Sequence, residues 1–183
     1  MLKYAQALLA SLAFCFWAGS ALAVDVRAAV LRVDYPTLLP VSRHDLRAED
    51  IGFAGAALAD EDNGTTGSFM GHTYETVTRA VPPEGADAAL EELLGDGIRL
   101  IVVQAEAEDL LRLSDRAAEE GALVLNAAAP DTGLRDDQCR ANLLHIAPSD
   151  QMMADAVAQF AVWKKWGDWL LIEGAGCRNA CRS

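Results

Sequence analysis

Residues 86–126 read ADAALEELLGDGIRLIVVQAEAEDLLRLSDRAAEEGALVLN, and this stretch decides the fold. In Ala86–Leu94 the apolar residues Ala86, Leu90, Leu93 and Leu94 recur at helical spacing, which gives one apolar helix face. Asp96-Gly97 interrupts that period, and Ile98–Val103 is a continuous apolar run of the kind that forms a strand buried on both faces. Glu106–Glu120 returns to the helical period and stops at Gly121, after which Leu123–Leu125 is again extended. One helix between successive strands makes those strands parallel, because a crossover must carry the chain back to the same end of the sheet.

The rhythm continues in both directions. Val26–Val33 is a β-branched apolar run closed by Asp34-Tyr35-Pro36, a buried strand entering a loop. Ala48–Asp62 carries Ile51, Ala54, Gly55 and Leu58 at helical spacing, with Asn63-Gly64 as its stop signal. Thr73–Val81 and Leu143–Ile146 read as strands. Gln151–Trp166 reads as a helix with Met152, Ala156, Phe160 and Trp163 on one face, and Trp169–Ile172 as the beginning of a further strand. The predicted class is α/β, a doubly wound parallel sheet with right-handed crossovers, without internal repeats or low-complexity linkers.

The first 23 residues predict export. Lys3 gives a positive start, Ala5–Ala18 is apolar, and Ala21-Leu22-Ala23 has the small-x-small form that a signal peptidase cuts, so that Val24 begins the mature chain in the periplasm. The apolar run is shorter than the ~20 residues a membrane span needs. Phe14 before Cys15 argues against lipid attachment. The net charge is −12, one unit more negative once Lys3 is removed, and no Lys/Arg cluster interrupts it, which excludes nucleic acid as a partner. Cleavage leaves Cys139, Cys177 and Cys181. Their odd number, the isolated C-x-x-x-C and the scattered histidines do not make a metal site.

In a doubly wound sheet, ligands sit beyond the carboxyl ends of the strands, which selects the loops 34–45, 104–108 and 126–133. The other candidates have blander readings. Gly64, Gly67 and Gly71 lack phosphate-loop spacing and read as turn glycines, and Gly174-Ala175-Gly176 lacks the third glycine of a dinucleotide loop. Asp60–Asn63 opens like a calcium loop, yet Gly71 stands where the closing glutamate belongs, so it reads as a solvated helix end. Ser42, His44 and Asp45 are neighbours in one loop, whereas a triad is assembled from separate elements. The loop Asn126-Ala127-Ala128-Ala129-Pro130-Asp131-Thr132 differs from these: its small residues let a ligand approach the backbone.

The order of these segments resembles the type I periplasmic substrate-binding proteins, the leucine/isoleucine/valine-binding class that feeds ABC importers. The residues that carry the resemblance are Gly52–Ala59 running into Asn63-Gly64 and Gly71, Gly97–Val102 before a helix, Gly121–Ala129, and then His145–Asp150 and Lys164-Lys165-Trp166 at a hinge crossing and helix end. More narrowly, Asp34-Tyr35-Pro36, Leu39–Arg43, Glu61-Asp62-Asn63, Thr65-Thr66-Gly67, Cys139, His145 with Pro148-Ser149, and Lys165-Trp166 resemble a subgroup found with PQQ-dependent alcohol dehydrogenase systems.

The resemblance implies a monomeric, two-lobed protein with no cofactor and no chemistry of its own. Such a protein encloses a small solute and presents it to an ABC permease in the inner membrane. Because the selected loops converge at one end of the sheet, ligand contacts are expected at Tyr35, Gln104, Asn126, Ala127, Ala128 and Ala129. The class usually holds its amino-acid carboxylate with hydroxyl side chains, but Ala129 and the segment 104–107 offer none, so branched-chain amino acids are poor ligands here. Backbone N–H groups of residues 127–129 remain as anion donors, and Gln104, Asn126 and Tyr35 as polar or stacking contacts. An enzyme would need a nucleophile or cofactor loop at a strand end, and none stands there. The alternative is an accessory or sensor protein of the alcohol-oxidation system without a transport role.

On this resemblance residues 24–147 are the first lobe, 148–174 the start of a second, and 175–183 an aberrant tail of the kind a shifted frame produces. The second lobe is then largely missing. The expectation is a half cleft with weak solute binding, an exposed apolar helix face prone to aggregation, and a Cys139 that lacks its structural partner.

Overall fold

The computed structural model describes residues 23–37, 41–42, 44, 46 and 48–170. The expected signal peptide, Asp45, Gly174–Gly176, Cys177, Cys181 and the tail lie outside them. Strand β1 (Asp25–Val33) is followed by helix α1 (Ala54–Ser68), β2 (Thr73–Val81), a 3-10 turn at Pro83–Gly85 and α2 (Ala86–Gly95). Then come β3 (Leu100–Gln104), α3 (Ala107–Glu119), β4 (Leu123–Asn126), a 3-10 turn at Thr132–Arg135, β5 (Leu143–His145) and α4 (Asp150–Trp163). The strands form one sheet of order β2-β1-β3-β4-β5, and every pairing is parallel.

The chain steps from β1 to β2 in one direction, then crosses back past β1 to β3 and onward. Right-handed crossovers therefore place α1 on one face of the sheet and α2 and α3 on the other. The α2/α3 face is the core. Ala29, Leu31 and Val33 of β1, Ile101 and Val103 of β3 and Val124 of β4 alternate toward it, and meet Leu90, Leu93, Leu110 and Leu113. These side chains are at most 5 % exposed. The opposite face is covered at β2 by α1, whereas Leu100 is 40 % and Leu144 51 % exposed. The expectation that 98–103 is buried on both faces is thus corrected, because α1 does not reach across to β3.

Helix α1 departs most from its sequence pattern. It starts at Ala54 rather than Ala48 and runs through Asn63-Gly64 to Ser68. Tertiary contacts override the stop signal: Asp60 accepts hydrogen bonds from the backbone N and Oγ1 of Thr76 on β2 at 2.9 and 2.7 Å. Gly67 lies so close to Tyr74 that a Cβ there would stand 2.6 Å from its ring. Gly64 and Gly67 are therefore helical residues and not turn glycines, and Asp60–Asn63 lies inside the helix rather than at its end. Of these three glycines, Gly71, at φ +72°, is the turn glycine. Helix α4 is capped by Ser149, whose Oγ accepts from the backbone N of Met152, and it ends at Trp163, three residues early. Trp169 and Leu170 form no strand.

Candidate functional site

The strand order reverses between β1 and β3, which opens a crevice at the carboxyl edge of the sheet. A cavity of about 710 Å³ lies there, lined by residues 32–35 after β1, by Ala48, Glu49 and Ile51, by 104–108 after β3 and by 128–131 after β4. The three loops singled out from the sequence do converge.

Arg32 shapes one side. Its guanidinium pairs with Asp34 through Nε–Oδ1 at 2.8 Å and Nη2–Oδ2 at 3.2 Å, and Nη1 donates to the carbonyls of Glu49 and Ile51. The same group stacks 4.6 Å above the Phe53 ring. One partly buried cation thus ties the 48–53 segment to the end of β1. Gln104 lies against Gly52, where φ is +82° and a Cβ would fall 1.9 Å from Nε2. A side chain at position 52 is excluded both by that contact and by the left-handed backbone.

Tyr35 joins β1 to the start of α3. Its hydroxyl donates to Asp109 Oδ2 at 2.5 Å and accepts from the backbone N of Glu106 at 3.0 Å. Burial, and then the Asp109 carboxylate that needs the proton, push its pKa up to about 12. Its ring packs on the core while its polar end is fully used.

Asn126 is fully buried and does not line the cavity. Its Oδ1 accepts from the backbone N of Ala128 and of Ala129 at 3.1 and 2.9 Å, and its Nδ2 donates to the Ala129 carbonyl at 2.7 Å. The second Nδ2 hydrogen goes to His145 Nδ1 at 3.1 Å, so His145 carries its proton on Nε2, which donates to the Leu134 carbonyl. Every donor and acceptor of the Asn126 amide is occupied. The N–H of Ala127, in turn, donates to the Val103 carbonyl at 3.0 Å. The three N–H groups expected to hold an anion are therefore all engaged inside the protein, which corrects that expectation. Of the six residues singled out, Tyr35, Gln104, Ala128 and Ala129 line the cavity, while Asn126 and Ala127 hold the 126–131 loop behind it.

Burial lowers the pKa of His145, with the nearby Arg135 charge adding to the downward shift and the Leu134 carbonyl opposing it. Sequence reasoning missed the carboxylates Glu49, Glu106, Glu108 and Asp131 around the cavity. The Glu-Ala-Glu-Asp stretch directly after β3 was the available signal. Elsewhere, Ser42 Oγ accepts from the backbone N of His44, and Cys139 is exposed, with no disulfide partner among the described residues.

No protein-family model matches the chain, and no curated protein matches it. Solved structures do. The leucine-, isoleucine-, valine-, threonine- and alanine-binding protein from Brucella ovis, in its closed conformation, superposes with a TM-score of 0.59 at 17 % identity, over 78 % of this chain and 37 % of that one. An ABC transporter substrate-binding protein from Desulfitobacterium hafniense gives 0.59 at 17 % identity, over 76 % and 39 %. The fold is that of one lobe of such a binding protein. This chain spans less than two-fifths of the length of either neighbour, and both neighbours are binding proteins rather than enzymes.

Proposed function

We propose that this chain supplies the first lobe of a periplasmic solute-binding component of an ABC importer, with residues 24–147 as the lobe and 1–23 as its cleaved signal peptide. The observation that carries this reading is the cavity at the strand reversal, where loops from β1, β3 and β4 meet around space for a small molecule. The occupant contacts Tyr35, Gln104, Ala128 and Ala129, and is handed to a membrane permease. Among the described residues that line the cavity there is no nucleophile–base pair. The resemblance of Asp34-Tyr35-Pro36, Glu61-Asp62-Asn63 and Lys165-Trp166 to proteins of PQQ-dependent alcohol-oxidation systems motivates a solute connected with that metabolism.

A thermal-shift screen of small alcohols, acids, amines and amino acids tests the reading. At least one solute is expected to raise the melting temperature, since a ligand that binds only the folded state stabilises it by mass action. The shift should weaken or vanish in Ala128→Trp, which adds an indole to the cavity wall. A library without any hit, or hits that persist undiminished in Ala128→Trp, would contradict it. Permease and ATPase genes beside this one are expected, and dehydrogenase genes without a permease would favour the accessory role.

A further inference from the structure

The hydrogen bonds around Asn126 run in directions that only a neutral His145 can complete. A backbone N–H can only donate, so those of Ala128 and Ala129, at 3.1 and 2.9 Å, fix the amide with Oδ1 toward the loop. Nδ2 then faces the Ala129 carbonyl at 2.7 Å and His145 Nδ1 at 3.1 Å. Nδ1 must accept, and the ring keeps its proton on Nε2, 3.2 Å from the Leu134 carbonyl. A second proton would go to Nδ1 and set an N–H against the Nδ2 hydrogen. Turning the amide over does not repair this, because it presents Nδ2 to two backbone N–H groups and Oδ1 to a carbonyl. Asn126 is fully buried, so water does not replace what is lost.

The same residues hold more than one another. The Asn126 carbonyl accepts from the backbone N of Ile146 and of Ala147 at 2.9 and 3.2 Å, and the Pro130 carbonyl from that of Asp150 at 2.8 Å. Arg135 donates through Nη2 to the Ala147 carbonyl, and its buried Nη1 has no partner among the described residues. The loop that gives Ala128, Ala129, Pro130 and Asp131 to the cavity wall and the segment entering α4 thus share one knot of bonds. The charges around the ring favour its neutral form. Among the described residues Arg135 is the charge that acts on it, and together with burial it lowers the His145 pKa. Strand β4, the neighbour of β5, brings only Val124, Leu125 and Asn126 alongside, and residues 146–149 carry no titratable side chain. Asp150, at the start of α4, is exposed and does not act on the ring.

We propose that the His145–Asn126 pair is an acid-sensitive latch: with a neutral ring it holds the 126–131 loop as a wall of the cavity, and when the ring takes up a proton the pair separates and the loop loosens. Because the fold resists that proton, the latch is closed above about pH 6.5, the ordinary histidine value, and opens as the pH falls from there. Its consequence for a solute is weaker binding in acid, and that consequence alone rests on the cavity being the solute site.

The test follows the histidine-ring and backbone amide resonances of the whole chain from about pH 8 to about pH 5, the window in which an imidazole titrates. The His145 ring and the amides of Ala128 and Ala129 are expected to move with one shared midpoint below about 6.5, while the amides of α2 stay fixed. His145→Gln offers Asn126 Nδ2 a neutral acceptor and should abolish the step at both loop amides. Asn126→Asp should act in the opposite sense. Its carboxylate accepts from both loop N–H groups and from a protonated ring, so the His145 midpoint should rise by about one pH unit or more and the loop step should shrink. Loop amides that stay fixed while His145 titrates, a step that survives His145→Gln, or a midpoint that does not rise in Asn126→Asp would overturn the inference. Global unfolding of the chain ahead of the loop step would do the same. No solute enters the measurement, so its failure leaves the solute-site reading standing.

Discussion

Helices α3 and α4 are nearly equal in length, at 13 and 14 residues, yet the more charged of the two is the better packed. Helix α3 carries six charged side chains and still buries Leu110, Leu113, Ser114 and Ala117, spaced as one stripe against the sheet and α2. Helix α4 carries two charged residues and buries only Ala161. Its Met152, Met153, Val157, Phe160 and Trp163 are all about half exposed or more. Apolar content does not place a helix in a core; segregation of that content onto one face, opposite a surface able to receive it, does. Within this lobe α3 is a structural element and α4 is not.

Truncation should break the two helices apart. Leu113→Ala is expected to cost ~2–5 kcal/mol in urea unfolding, as large-to-small changes in a closed core do. Phe160→Ala should stay within ~0.5 kcal/mol, the range for exposed sites. Similar costs at the two positions would erase the contrast.

The same logic extends from helices to loops. Asn126→Ala removes the acceptor for two backbone N–H groups and is expected to cost ~1–3 kcal/mol, with the amide resonances of Ala128 and Ala129 displaced. An unchanged loop spectrum would show that Asn126 does not hold it. Gly52→Ala should cost ~1–2 kcal/mol for the left-handed backbone, and it should also displace Gln104. Wild-type stability in that variant would contradict the close approach.

The smallest effect expected is that of pH on His145. Its pKa is lowered in the folded state, so the unfolded chain binds the proton more readily. Stability should therefore be full above about pH 6.5, the ordinary histidine value, and fall as the pH drops from there through the folded value. His145→Gln should flatten that part of the stability profile. A slope unchanged in the variant would assign it to other groups.

The α/β rhythm was legible because the apolar period switches between strand and helix, and β2 and α2 stand where that pattern puts them. The bounds of helix α1 were not, since Gly64, Thr65, Thr66 and Gly67 have poor helix propensity and are helical because Asp60 and Gly67 dock on β2. The site divides in the same way. Its three loops followed from the strand-order rule. The direction of the Asn126 amide did not, because an asparagine at a strand end can face a ligand equally well as cap its own loop. The carboxylates Glu49, Glu106, Glu108 and Asp131 were not read from the sequence, because they come from three separate segments that only the folded chain brings to one cavity.

The comparison between a packed lobe and an exposed α4 also sets up the most direct test of the account, because a solute with an apolar body has two places to go. Residue-by-residue amide mapping of the strongest solute from the thermal-shift screen separates them. The account predicts saturable shifts centred on residues 104–108 and 128–131, at the cavity. Shifts centred on residues 150–163 of α4, with the cavity loops unmoved, would contradict it.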